Sequence, residues 1–239
     1  MAMKSFSKIL SCVMVLFFLS CKKEAEKPKV IYENPSKVVE TTKGDTTKVA
    51  IVDLPIHMDG TNYLLFPVGE LNRTEKNYDS SSRGNQISYK VSNYSEYQIT
   101  GFIRNVKFQQ LGKDSIKSLT SKNILIQSIT YLKTIADKTK QQILVYVAED
   151  LDTNKDSKLD DSDIKALYLS DISGDRFTKI SLDYQELIDW DILEATSRLY
   201  YRTIEDTDKN GAFDKNDKLH YYFIDLSNKE WKAIEYNPI

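Results

Sequence analysis

Cysteine is nearly missing from this chain: Cys12 and Cys21 are the only two in 239 residues. Both lie near the amino terminus, so neither a disulfide framework nor a cysteine nucleophile is available further along. Histidine is as scarce. His57 and His220 alone are too few for a zinc site or a histidine-based triad, and no G-x-S-x-G elbow exists to supply a nucleophilic serine. A basic excess is also missing, since 33 Lys and Arg stand against 35 Asp and Glu. No positive field therefore recruits nucleic acid. Long apolar runs are absent too. The longest, residues 9–19, falls short of the roughly 20 residues that span a bilayer. Helical periodicity is almost nowhere visible, and no catalytic constellation stands out.

What is present is strand-like. From Lys48 onward, short runs rich in β-branched and aromatic residues alternate with polar turns, as in Y-L-L-F-P-V, I-L-V-Y-V, A-L-Y-L and H-Y-Y-F-I. Fifteen tyrosines and only eight glycines fit packed sheet faces better than disorder. The spacing predicts an all-β domain over residues 48–239, with a short helical turn around 184–188. Residues 21–47 are charged, carry Pro28 and Pro35, and read as a flexible tether.

Two stretches carry chemistry. Residues 206–217 read D-T-D-K-N-G-A-F-D-K-N-D, and residues 152–163 read D-T-N-K-D-S-K-L-D-D-S-D. Each places acids or amides at positions 1, 3, 5, 9 and 12 of a twelve-residue loop, the pattern that wraps Ca²⁺ in oxygen. The ligands expected in the later loop are Asp206, Asp208, Asn210, the Ala212 carbonyl, Asp214 and Asp217. In the earlier loop they are Asp152, Asn154, Asp156, the Lys158 carbonyl, Asp160 and Asp163. Gly211 supplies a sharp turn at position 6. Ser157 replaces it upstream, which predicts the weaker site. Phe213 and Leu159 at position 8 should point inward. Both loops end in aspartate and are flanked by strands, so they resemble EF-hand-like or dockerin-like loops, not helix-loop-helix sensors. That implies two structural Ca²⁺ ions without a switching motion.

The loops recur in phase. Residues 145–180 lie over 199–234 without a gap, with ten identities including Tyr146/Tyr200, Asp152/Asp206, Thr153/Thr207, Asp163/Asp217, Tyr168/Tyr222 and Asp171/Asp225. The period is 54 residues, each unit reading strand, loop, strand, turn, strand. Residues 108–119 form a worn earlier copy in which a polar insertion, 69–97, replaces the loop. Three four-stranded units follow, at about 48–120, 121–181 and 182–236. Units of this size suggest propeller blades, and their wording resembles the TolB-like propeller repeats of secreted bacterial proteins. That resemblance implies a propeller-like fold, although three blades are fewer than the usual four to eight. A β-sandwich is the alternative. The count also raises a homodimer or an envelope-protein partner that completes the fold.

The amino terminus adds location. Lys4 and Lys8 precede the apolar run, which ends Phe17-Phe18-Leu19-Ser20-Cys21. This resembles the lipobox of bacterial lipoproteins, apart from Phe18 where an aliphatic residue is usual. It implies a signal peptide over residues 1–20, a lipid on Cys21, and a membrane-anchored protein of the cell envelope, at the outer membrane. Without Lys4 and Lys8, 31 basic residues face 35 acidic ones, an excess that two Ca²⁺ ions would balance.

The combined expectation is a calcium-binding envelope lipoprotein with a binding or scaffolding role and no catalytic residue, its ligand unspecified. The rival is a glycan-acting hydrolase that sets Glu70 against a second acid across a cleft. Asp171 and Asp225 are expected to cap turns. Trp190, Trp231 and the tyrosines are expected to pack between units.

Overall fold

The computed structural model describes residues 27–32, 48–72 and 90–239. The signal region, Cys21, most of the expected tether and much of the insertion 69–97 lie outside the described residues. In chain order the strands are β1 (Lys48–Val52), β2 (Ile56–His57), β3 (Tyr63–Asn72), β4 (Ser92–Ser95), β5 (Gln98–Ile103), β6 (Asn105–Gln110), β7 (Ile116–Ser118) and β8 (Leu125–Tyr131). Helix α1 (Lys133–Thr139) follows, then β9 (Ile143–Glu149), β10 (Lys165–Asp171), β11 (Thr178–Lys179), β12 (Gln185–Leu193), β13 (Arg198–Glu205), β14 (Lys218–Asp225) and β15 (Ile234–Glu235). The described residues are all-β with one short α-helix.

The strands form three antiparallel sheets, ordered β1-β3-β6-β7 with β2 on β3, β11-β10-β9-β8-β5-β4, and β12-β13-β14-β15. The first sheet draws on residues 48–118, the third on 185–235 and the middle one on 92–179. The stretch between β3 and β6 contributes β4 and β5 to the middle sheet, where β5 pairs with β8. An exposed edge is thereby covered by more of the same chain.

The middle sheet is buried on both faces. Leu144, Tyr146 and Ala148 of β9 and Ala166 and Tyr168 of β10 join a core with Leu65, Val106 and Phe108 of the first sheet. The alternate residues Ile143, Val145, Leu167 and Leu169 join a second core with Leu199, Tyr201, Tyr222 and Ile224 of the third. A strand covered on both sides reads as a near-continuous apolar run, which is why I-L-V-Y-V shows no polar alternation.

Bulges keep the faces in phase. In β8 the register shifts between Ile126 and Ser128, so Ile126 and Ile129 both reach the first core despite their odd spacing. A shift between Leu187 and Asp189 in β12 does the same for Leu187 and Trp190 in the second core. Without the extra residue, one end of each strand would present the wrong face. Close packing is visible at Gly174, where an added Cβ would sit 2.5 Å from the Phe108 ring.

The local helix differs from expectation. Residues 184–188 enter β12, and the helix lies instead between β8 and β9. It buries Ile135 and Ala136, and Lys140 caps it in the left-handed conformation at φ +63°. Asp225 caps its turn as expected, accepting the Ser227 amide at 3.0 Å, whereas the Asp171 carboxylate instead pairs with the Arg176 guanidinium across its turn, with Nε at 2.7 Å. Trp231 packs against the second core under the Arg176 guanidinium, 4.0 Å away.

One buried acid stands out. Glu149, at the end of β9, is fully buried. Its Oε2 has no hydrogen-bond partner, while Oε1 accepts the Gln127 amide. Burial pushes its carboxyl up to about 8, with Glu186 adding to the rise. Because the folded chain prefers the neutral form, this group's contribution to stability is full below the ordinary carboxylate range. It is lost as pH rises toward 8. Chemical denaturation of Glu149→Gln in EDTA is therefore expected to match wild type near pH 4 and to be more stable by about 2–4 kcal/mol at pH 8 and above.

Candidate metal centre

Both acidic loops sit at the same place in their units. Residues 152–163 bridge β9 to β10, and residues 206–217 bridge β13 to β14. The strands on either side are paired in full register, so each loop is held at both ends by a rigid hairpin.

Their backbones are near copies. Position 4 is left-handed in each, Lys155 at φ +56° and Lys209 at φ +55°, as is position 6, Ser157 at φ +67° and Gly211 at φ +85°. The carboxylates organise this shape by accepting backbone N–H groups. In the later loop the Asn210 amide donates to Asp206 and to Asp208, both at 3.1 Å, and Gly211 donates to Asp206 at 2.7 Å. In the earlier loop the Asp156 amide donates to Asp152 at 3.1 Å and to Asn154 at 2.9 Å, and Ser157 donates to Asp152 at 2.9 Å. Position 7 donates to position 5 in both, Lys158 to Asp156 and Ala212 to Asn210, at 2.8 Å.

The last acid closes each ring. Asp217 accepts the Thr207 amide at 3.0 Å and the Asp214 amide at 2.8 Å. Asp163 accepts the Thr153 amide at 2.7 Å and the Asp160 amide at 3.1 Å. Position 9 also serves in both loops, Asp160 accepting from Ser162 and Asp214 from Asn216. Each carboxylate gives some of its lone pairs to the backbone and keeps others free.

The side chains converge in the later loop. Carboxylate oxygens of Asp206, Asp208 and Asp217 lie within 4.8 Å of one another, with Asp206 buried. These three could hold a metal ion. Among the described residues no other trio of acids, histidines or cysteines meets that geometry. The earlier loop has Asn154 where the later has Asp208, so one of the three corresponding ligands is an amide. Partial desolvation, with Asp163 and Asp156 nearby, raises the Asp152 carboxyl above its ordinary value. Crowded acids of this kind are relieved by a cation.

The loops are seated unequally. Asp163 and Leu159 are buried in the earlier one, and Arg104 donates to the Leu159 carbonyl at 3.0 Å. Phe213, at the position of Leu159, is only half-buried. The inward anchor expected of it is thus weaker than its counterpart.

A contact that the sequence reading missed joins the two loops. Residues 27–32, expected to belong to a free tether, are docked. Val30 is buried at 2% exposure. The Ile31 amide donates to the Thr153 carbonyl at 2.8 Å, the Val30 amide to the Gly211 carbonyl at 3.1 Å, and the Lys29 amide to the Ser162 carbonyl at 3.4 Å. Tyr32 faces the acids of the later loop. Desolvation, then Asp206, pushes its hydroxyl up to about 12. The signal was a short apolar triplet, V-I-Y, inside an otherwise charged segment.

The chain matches no protein-family model, no curated protein and no solved structure.

Groups weighed for catalysis are otherwise engaged. Glu70 is ion-paired with Lys48 at 3.6 Å and Arg104 at 3.4 Å. His57 meets the Thr61 carbonyl at 2.8 Å. His220 lies between Glu235 at 2.7 Å and Glu205 at 2.9 Å, an arrangement that ties β13, β14 and β15. A cleft of about 700 Å³ includes Asp150, Asp175 and Asp183. Lys179 binds Asp150 and Asp183 at 2.8 and 2.6 Å, and Lys117 binds Asp175, holding its carboxyl below the usual range. A glycosidase acid needs the opposite shift.

The backbone geometry sets a test of the loops. At Gly211 an added Cβ would meet the Val30 carbonyl at 2.7 Å on a left-handed backbone. Gly211→Ala is expected to cost about 1–3 kcal/mol. Ser157→Gly, which removes a side chain from the same conformation, is expected to stabilise by about 0.5–1 kcal/mol. Urea unfolding of each variant against wild type reads both.

Proposed function

We propose that this chain is a calcium-binding lipoprotein of a bacterial cell envelope, lipid-anchored at Cys21 after removal of residues 1–20. In this reading it binds or scaffolds partners at the outer membrane, and two Ca²⁺ ions serve as structural clamps. The observation that carries the reading is the repeated loop. Two twelve-residue segments, 54 residues apart, share one carboxylate-to-amide scaffold and two left-handed positions. The acids and amides at 1, 3, 5, 9 and 12 offer the hard oxygens that Ca²⁺ takes. Neither loop is flanked by helices, which favours a clamp over a sensor.

The three four-stranded units support a propeller-like arrangement. Its short blade count leaves terminal faces for a partner. A second reading, a subunit of a larger envelope assembly or of a homodimer, draws on the outer face of the third sheet. There Tyr200, Phe223 and Tyr236 cluster with ring centroids 5.8–6.0 Å apart, beside Leu219 and Ile234 at 43% and 44% exposure. Gel filtration that returns a monomer removes the homodimer.

Thermal melting with Ca²⁺ and with EDTA tests the main reading. At about 1 mM Ca²⁺, a site with Kd near 10⁻⁵ M adds about 2.7 kcal/mol, or roughly 5–10 °C in a chain of this size. Calorimetry is expected to give two ions per wild-type chain, one in Asp206→Asn, and none in Asp152→Asn/Asp206→Asn. A wild-type melting temperature that is the same in Ca²⁺ and in EDTA overturns the assignment.

A further inference from the structure

We propose that the seam between the two acidic loops is a strand-binding site for the chain's own residues 27–32, and that cation binding in the loops clamps this segment in place. The proposal rests on the calcium reading above.

The segment binds as an extended chain. Successive N–H groups in such a chain point to opposite sides, and here they do. Lys29 and Ile31 donate to Ser162 and Thr153 of the earlier loop, while Val30 between them donates to Gly211 of the later one. The Val30 side chain is buried at 2% exposure. Gly211 is required at the crossing because a Cβ there would meet the Val30 carbonyl at 2.7 Å. Tyr32 then lies over the later loop, its ring 6.4 Å from Tyr184 and 6.0 Å from the Lys209 ammonium. Four consecutive residues, 29–32, thus touch the two loops and join two hairpins that belong to different sheets.

The acceptors are parts of the loops themselves. Thr153, Ser162 and Gly211 are positions 2, 11 and 6, and each donates its own N–H to a carboxylate of its loop. The earlier loop gathers five aspartates and the later one four, which repel one another without a cation. A bound ion holds the ring closed and keeps the three carbonyls aimed at the segment. Linkage makes the effect mutual, since a docked segment raises cation affinity by the factor by which the cation favours docking.

The clamp changes the reach of the lipid anchor. From Cys21 to Lys27 the chain spans at most about 20 Å, whereas from Cys21 to Lys48 it spans up to about 90 Å. Cation binding therefore draws the sheets toward the membrane, and cation loss lets them stand off.

Hydrogen–deuterium exchange of the mature chain beginning at Cys21, in Ca²⁺ and in EDTA, tests this. The Val30 and Ile31 amides are expected to exchange at least tenfold faster in EDTA, while those of β9 stay protected. Val30→Asp is expected to release the segment in Ca²⁺ and to weaken calorimetric Ca²⁺ affinity about tenfold. Two-site Ca²⁺ binding with unchanged exchange at residues 30 and 31 overturns the clamp and leaves the calcium assignment intact. So does an unchanged affinity in Val30→Asp once the segment is released. Failure to bind Ca²⁺ at all overturns both.

Discussion

Burial of the middle sheet on both faces is the constraint from which the rest follows. Side chains of β9 and β10 alternate between two cores, so neither flanking sheet can slide or turn over without exposing one of them. The first and third sheets are fixed against this layer, and with them the two hairpins that present the acidic loops. The bulges in β8 and β12 serve the same end. Each adds a residue where strict alternation would turn a strand's far end away from its core.

The loops themselves depend on a different interaction. Their shape comes from carboxylates accepting backbone amides, not from apolar packing. This division suits a charged ligand. The sheets supply rigid ends, and the acids supply both the turn geometry and the oxygen atoms. Their mutual repulsion is the cost of gathering them, and it is lowest when a divalent cation lies at the centre. The scaffold tolerates Asn154 in place of Asp208 and Ser157 in place of Gly211, because the bonds that define it run to main-chain N–H groups.

Much of this was readable from the residues. The positions of the two loops between strands could be read because the spacing of their Asp and Asn residues alone encodes them. The capping of its turn by Asp225 was equally local. Features set by long-range contact were not readable. β4 and β5 joined the middle sheet because β8 offered an unpaired edge, and nothing in residues 92–103 names that partner. The helix at Lys133–Thr139 is seven residues long, too short for periodicity to emerge, and owes its place to Ile135 and Ala136 beneath it. Docking of residues 29–31 was hidden because their acceptors, Ser162, Gly211 and Thr153, lie on loops far along the chain. Glu149 reads as an ordinary strand-end acid until its burial is seen.

The self-contained bonding of the loops has an evolutionary side. Nearly every hydrogen bond that shapes one of them begins and ends within twelve residues. Such a segment can be copied with its hairpin and still close in a new location, since the bonds that set its own shape need only two paired strands. It can also be lost without unravelling the sheet beneath. At the equivalent place in the first sheet, between β3 and β6, the chain instead contributes β4 and β5 to the adjoining sheet. Heredity here acts on a portable turn, with the strands serving as the socket into which alternatives can be fitted.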